Sequence, residues 1–359
     1  MRRLLSRRGM LGGVVGGGVL VALGAGAARG VESRTVVGRR RFFGDDVVDA
    51  VSGAVRADRV VISWVGCATY AVAFAGTVVL LDAWVPRLSS AGYVPATAQD
   101  LADLAPAAVL IGHGHFDHAG DAGRIAQASG AVVHGTAEHC ATIRAQVPDP
   151  AFGTVALGDA GTAPGQVHEF RIGDIEVTAV RHLHSGPTAP DPVNGSRPFF
   201  PVPDLCAIAQ HPPTLEDLRV GLPRLRDEEG GCLLYQLRAH GFSLVWHDSA
   251  GPLTEKAPHV FDVFAGLAPT DVQIGAIQGF NQLTNGLRDP RTYIDAIRPK
   301  LFVPAHHDNW LPGFTAPAAT YDQPLRAELD RIPAGHRPEL RALLDPGDYI
   351  APGRLTFAL

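Results

Sequence analysis

Between residues 112 and 121 the chain reads Gly112-His113-Gly114-His115-Phe116-Asp117-His118-Ala119-Gly120-Asp121, directly after the apolar run Val109-Leu110-Ile111. Three imidazoles and a carboxylate fall within six residues. Buried polar groups need partners to offset lost hydration, so packing alone does not account for four ligand-type side chains at this spacing. A metal does, because imidazole nitrogens and carboxylate oxygens are its common donors. In an extended segment alternate side chains share a side, which puts His113 and His115 together. The turn into the next helix then brings Asp117 and His118 to a neighbouring position.

The frame around this segment reads as layered α/β. Short apolar runs punctuated by glycine at 60–65, 70–74 and 77–81 predict consecutive antiparallel strands, and further strands are expected at 107–111, 131–134, 169–172 and 174–180. Helical spacing marks 121–129 and 290–297, and the strand pattern resumes at 233–237, 242–246, 272–277 and 301–303. With 359 residues, 46% of them hydrophobic, there is material for one large core. Strands with interspersed helices, and chemistry at strand ends, argue for packed layers. The stretch 186–231 is rich in proline and glycine without a clear period and reads as a long loop; such loops are usually functional.

The segment 112–121 resembles the His-x-His-x-Asp-His motif of the metallo-β-lactamase superfamily, and later segments are similar to that family's remaining ligand positions in the family's order. After Ile175–Val180 comes Arg181-His182-Leu183-His184-Ser185; after Leu244-Val245-Trp246 comes His247-Asp248; after Leu301-Phe302-Val303 comes Pro304-Ala305-His306-His307. The resemblance implies an α/β fold of four αββα layers. It also implies one metal on His113, His115 and His184, a second on Asp117, His118 and His306, and Asp248 bridging them. Asp117 and Asp248 are the implied catalytic carboxylates. His184 is preferred to His182 because it lies farther past the strand and precedes Ser185-Gly186; His182 is the alternative. Asp82, His182, His247 and His307 are expected beside the ligands, orienting them. The implied cofactors are two divalent metals, Zn(II) first, with Mn(II) or iron compatible with the same donors. The implied reaction is hydrolysis of an ester-type bond, phosphodiester or lactone, by a metal-bridged hydroxide.

Trp64-Val65-Gly66-Cys67-Ala68-Thr69, Leu80-Leu81-Asp82 and Pro304-Ala305-His306 are similar to the branch containing L-ascorbate-6-phosphate lactonase and the N-acylphosphatidylethanolamine-hydrolysing phospholipase D. That branch commonly carries histidine where Cys67 stands. The family's flavodiiron members have glutamate at the position of His115, which argues against oxygen reduction. Two other readings remain: a secreted metal-binding or partner-binding protein with little turnover, and a thiol dioxygenase using one iron at the first group.

Ser6-Arg7-Arg8-Gly9-Met10-Leu11, an uncharged glycine-rich stretch and Ala25-Gly26-Ala27 resemble a twin-arginine export signal over 1–27. A tether over 28–57 and a hydrolase domain over 58–359 are then expected. Export by the twin-arginine translocase would place the protein in the periplasm or outside the cell, or anchored at the membrane if the signal stays. The net charge is −5, and losing Arg2, Arg3, Arg7 and Arg8 makes the mature chain more acidic. Nucleic acid is therefore not an expected partner; a small-molecule or lipid-like substrate is. Cys67, Cys140, Cys206 and Cys232 include no CxxC pair, and Cys232, opening the run Cys-Leu-Leu-Tyr-Gln-Leu, reads as core. The loop 186–231 is expected to cover the metal edge, with Phe199, Phe200, Leu205, Ile208 and Leu222 lending it apolar character.

Overall fold

The computed structural model describes residues 33–85, 93–194, 199, 204–224, 226–312 and 315–359, so the expected export signal and Phe200 lie outside the described residues. The first half supplies strands Arg59–Gly66 (β1), Thr69–Phe74 (β2), Thr77–Leu81 (β3), Ala108–Leu110 (β4), Val132–Gly135 (β5) and Thr154–Ala156 (β6). The second supplies Val167–Ile172 (β7), Ile175–His182 (β8), Cys232–Ala239 (β9), Phe242–His247 (β10), Val272–Ala276 (β11), Leu301–Ala305 (β12), Glu339–Leu340 (β13) and Thr356–Ala358 (β14). They form two seven-stranded sheets, ordered β14-β1-β2-β3-β4-β5-β6 and β13-β12-β11-β10-β9-β8-β7. Both are mixed: β1–β2–β3 pair antiparallel and β3–β4–β5–β6 parallel, while β7–β8–β9–β10 pair antiparallel and β10–β11–β12–β13 parallel.

Side-chain alternation builds the layers. Val60, Ile62 and Trp64 of β1 enter a core shared with Leu233, Tyr235 and Leu237 of β9 and Leu244 and Trp246 of β10, so this core lies between the sheets. Val61 and Val65 point the other way, into a second core with Leu101, Ile125 and Ile143 from the helices Ala98–Asp103, Ala122–Ser129 and Ala137–Arg144. On the far side Val180, Leu234 and Val245 meet Val260, Phe264 and Tyr293 from the helices Val260–Ala265 and Arg288–Ile297. A period of two in the strands therefore fills both faces of each sheet, giving four αββα layers. Each fully buried Val, Leu or Ile contributes about 1.5–3 kcal/mol to this arrangement.

Two expectations need correction. The tether expected at 28–57 is, from residue 33 onward, part of the domain. Helix Arg34–Phe43 is capped by Ser33, and its Phe42 and Phe43 are buried in the core beneath β1. Two aromatic rings at the end of a helical turn are a buried face, which the arginine-rich surroundings Arg39-Arg40-Arg41 disguise. The loop 186–231 is not structureless either, since it contains helices Leu205–Gln210 and Leu215–Arg224. Both are short, and Pro223 sits inside the second. Among the described residues no helix is long and apolar enough to cross a membrane, and Cys67, Cys140, Cys206 and Cys232 are all free thiols.

Candidate metal centre

Strand ends deliver the site. Asp82 follows β3, residues 111–118 follow β4, His184 follows β8, Asp248 follows β10 and His306 follows β12. Because β3–β4 and β10–β11–β12 run parallel within their sheets, their C-terminal ends open on the same side. Three of the residues there, Cys67, Asp82 and His306, have left-handed backbones with φ of 51°, 54° and 55°. Such conformations cost of order 1–3 kcal/mol for a residue with a side chain and cluster at functional sites. Gly112 and Gly114 have a different reason: a Cβ on Gly112 would lie 2.1 Å from Cγ of Asp248, and one on Gly114 2.4 Å from the carbonyl oxygen of Glu229. The glycines of the motif let a carboxylate and a backbone approach between the histidines.

The side chains gather as two groups. His113, His115 and His184 offer ligand atoms that all lie within 4.8 Å of one another, with His113 Nε2 3.0 Å from His115 Nδ1. Asp117, His118 and His306 do the same, with His306 Nε2 3.1 Å and His118 Nε2 3.5 Å from Asp117 Oδ2. The donor atoms of Cys67 fall within this second group. Asp248 stands between the groups, its Oδ2 2.7 Å from His113 Nδ1 and 3.2 Å from His118 Nδ1. It meets the Nδ1 edges of those rings rather than their Nε2 atoms, and Cys232 lies beside it and His113. Its other oxygen, Oδ1, is buried without a hydrogen-bond partner.

Electrostatics divide the groups in the same way. Burial pushes the His113 imidazole well down, His115 down to about 4, and His184 down as well. Burial has the same sense at His118, but the charges of Asp117, Asp248 and Asp82 overrule it and hold that ring well above its ordinary value. Burial would raise Asp117 and Asp248; neighbouring histidines, His118 and His306 for the one and His113 and His118 for the other, keep both well below the usual carboxylate range. Asp82 is pushed up to about 8, first by burial and then by the charge of Asp248.

The expected supporting residues are placed unevenly. Asp82 accepts from Gly112 N at 3.0 Å and contacts His118 Nδ1 at 2.6 Å, as an orienting carboxylate does. His182 has Nδ1 3.1 Å from the Tyr293 hydroxyl and Nε2 buried without a partner, and the donor groups take in His184 and not His182. His247 faces Ser249 O and Gln273, and His307 contacts Leu343 O and stacks on Trp64, so neither touches a ligand residue's donor atom. Residues that sequence reasoning passed over are Cys67 and Gln278, whose Oε1 is 2.8 Å from His306 Nδ1. Gln278 also lies just past a parallel strand, β11, and that placement is the signal that could have found it.

The donor chemistry fits divalent metals: imidazoles in one group, imidazoles with a carboxylate in the other, and an orphaned carboxylate oxygen buried between them. Residues 62–196 match the family model of the metallo-β-lactamase superfamily. A UPF0173 metal-dependent hydrolase of Pyrobaculum neutrophilum is 35% identical over 105 residues, covering 27% of this chain and 45% of that protein. One from Anaeromyxobacter dehalogenans is 30% identical over 140 residues, covering 37% and 46%. The chain thus spans about half the length of the curated relatives it matches. The solved metallo hydrolase Igni18 from Ignicoccus hospitalis superposes with a TM-score of 0.51 at 15% identity, over 84% of this chain and 99% of that one. Its fold is the one described above. Motif, strand order and layer architecture agree: residues 62–196 are similar to the metallo-β-lactamase superfamily, and the two mixed sheets between helical layers are the metallo-β-lactamase fold.

Proposed function

We propose that the protein is a metal-dependent hydrolase acting on an ester-type bond, a phosphodiester or a lactone, in a substrate with an apolar part. The observation that carries the reading is the convergence of two donor groups on a buried carboxylate with an unpartnered oxygen. Two divalent ions held there would lower the pKa of a water and polarise the scissile bond. The chain's own residues do the rest. His113, His115 and His184 hold one ion, Asp117, His118 and His306 the other, and Asp248 links the two groups. Asp82 fixes the His118 ring through Nδ1, and Gln278 fixes His306 in the same way. Trp84, Trp310 and Phe116 pack against Cys67 and keep an apolar wall beside the second group.

The loop after His184 supports the substrate class. Glu229 O accepts from Gly114 N at 2.7 Å, and Asn309 Nδ2 donates to Asp204 at 3.1 Å, so residues 204–229 are strung between the motif and the segment after His306. The helices they contain expose Leu205, Leu215, Leu218 and Leu222. The presence of a second donor group favours two ions over the single iron a thiol dioxygenase needs. Zinc suits both groups; manganese and iron are compatible with the same donors. Export through the twin-arginine translocase, with the metals acquired before crossing, is part of the same reading.

The test is a panel of phosphodiester, lactone, thioester and β-lactam substrates assayed with Zn(II) and Mn(II), alongside metal content per chain. Two metals per chain and turnover of the phosphodiester or lactone are expected. Two metals without turnover of any member would leave the binding-protein reading standing, and one iron per chain would favour the dioxygenase. Replacing Arg7 and Arg8 by lysine should retain the precursor inside the cell; unchanged export would rule out the twin-arginine route.

A further inference from the structure

Cys67 occupies the turn between β1 and β2 and is fully buried. Its left-handed backbone is one a residue with a Cβ rarely adopts, and four hydrogen bonds hold it there. Cys67 N donates to both oxygens of Asp308 at 3.0 Å, and Cys67 O accepts from Trp64 Nε1 at 3.0 Å and from His306 N at 3.1 Å. The turn is therefore tied directly to the backbone of a ligand residue. The result is that Sγ stands within 4.8 Å of the ligand atoms of Asp117, His118 and His306, all of which are buried. A small apolar residue would fill the space against Trp84 and Trp310 at the same backbone cost, but would bring no donor atom to the group.

We propose that the Cys67 thiolate is a further protein donor to the metal held by Asp117, His118 and His306. The inference rests on the metal-centre reading above. On binding, the S–H proton passes to solvent and a metal–sulfur bond replaces it, with no change of oxidation state. The two sites then differ in kind: three imidazoles in the first, two imidazoles, a carboxylate and a thiolate in the second. Thiolate is a soft donor that suits zinc or cobalt and not manganese. The second site accordingly retains zinc, whereas the first accepts either metal. With Asp248 linking the two groups, the second site then has one protein donor more than the first and is the more closed of the two.

The experiment uses the full chain, stripped by a chelator and titrated with Co(II), whose thiolate complexes show an intense near-ultraviolet charge-transfer band. The wild type should bind two Co(II) per chain and develop that band. Cys67→Ser should bind the metal of the second group more weakly, by more than about tenfold, without the band. Cys232→Ser should keep it, which separates Cys67 from the thiol beside His113 and Asp248. Zinc absorption spectroscopy on the wild type needs no variant and should find a sulfur neighbour at about 2.3 Å. Two metals bound with no charge-transfer band and no sulfur neighbour would overturn the inference while leaving the metal centre intact. A band that survives in Cys67→Ser and disappears in Cys232→Ser would assign the thiolate to the other cysteine. Failure to bind two metals at all would overturn the metal-centre reading and this inference with it.

Discussion

The two donor groups lie side by side yet are built from different physics. In the first, His113, His115 and His184 are held neutral by burial, and His115 and His184 are only half-buried. In the second, the donors are buried, and His118 is ringed by Asp117, Asp248 and Asp82, whose charges hold its pKa well above the ordinary imidazole value. Neutral imidazoles receive a metal directly, whereas a protonated ring must first lose its proton. The first group is thus open and preorganised, and the second is closed and gated by protonation. The contrast arises because β3 and β10 each place a carboxylate behind His118, while among the described contacts no carboxylate lies so near His115 or His184.

The largest break in this comparison should come from removing a first-group ligand. His184→Ala is expected to lose one metal per chain and all measurable hydrolysis, while His182→Ala keeps both metals because its Nδ1 faces Tyr293. Metal analysis after gel filtration checks this, and the reverse pattern would make His182 the ligand. A smaller effect is expected from behind the second group. Asp82→Asn leaves every proposed ligand in place but weakens the hold on His118 Nδ1, so second-site affinity should fall about 10–100-fold with the first site unaffected. Equal loss at both sites in a competition titration would mean that Asp82 supports the fold rather than one ligand.

How much of this was legible in the sequence depended on locality. The fold followed from short continuous apolar runs in β1, β2, β3, β9 and β10, because each of these strands is apolar on both faces and bounded by glycine or a turn. The tiny strands β6, β13 and β14 have two or three residues each, too few for any period, and exist through pairing with distant neighbours. At the site, the cluster at 113–118 is readable because its ligands are near in sequence, and His184, Asp248 and His306 because each follows an apolar strand. Cys67 was not, since its approach to Asp117 and His306 depends on a left-handed turn and on bonds to Asp308, some 241 residues away. Gly112 was read as part of a motif, but its reason, the carboxylate of Asp248 against its Cα, appears only when two sheets meet.

Protonation sharpens the same comparison at intermediate size. Below the raised pKa of His118 its proton competes with the metal, and the Cys67 S–H proton leaves on binding as well, so second-site affinity should fall by at least about tenfold for each pH unit lowered. First-site affinity should stay flat near neutral pH, because burial has already removed the protons from His113, His115 and His184. Calorimetric titrations in buffers of different ionisation enthalpy would count the protons released at each site. Equal proton release at both sites would remove the electrostatic distinction between them.

The smallest effect is expected at the loop, whose two ends behave as differently as the two donor groups. Residues 185–194 are fastened to the body: Ser185 N donates to Ser249, Asp191 pairs with Arg288, and Asn194 Nδ2 donates to Asn285 O and to Glu328. Deleting them would disturb the fold. In the helix Leu215–Arg224, Leu215, 86% exposed, shares a face with Leu218 and Leu222 three and seven residues on. Replacing these three leucines by serine should therefore leave metal content and the melting midpoint unchanged. It should lower kcat/KM roughly tenfold for substrates with a long apolar part and little for short ones, since each lost apolar contact is worth a small factor. A uniform fall across chain lengths would place the leucines in catalysis or folding instead. No change at any length would mean that the helix faces solvent throughout the reaction and that the apolar part of the substrate lies along Trp84, Phe116 and Trp310.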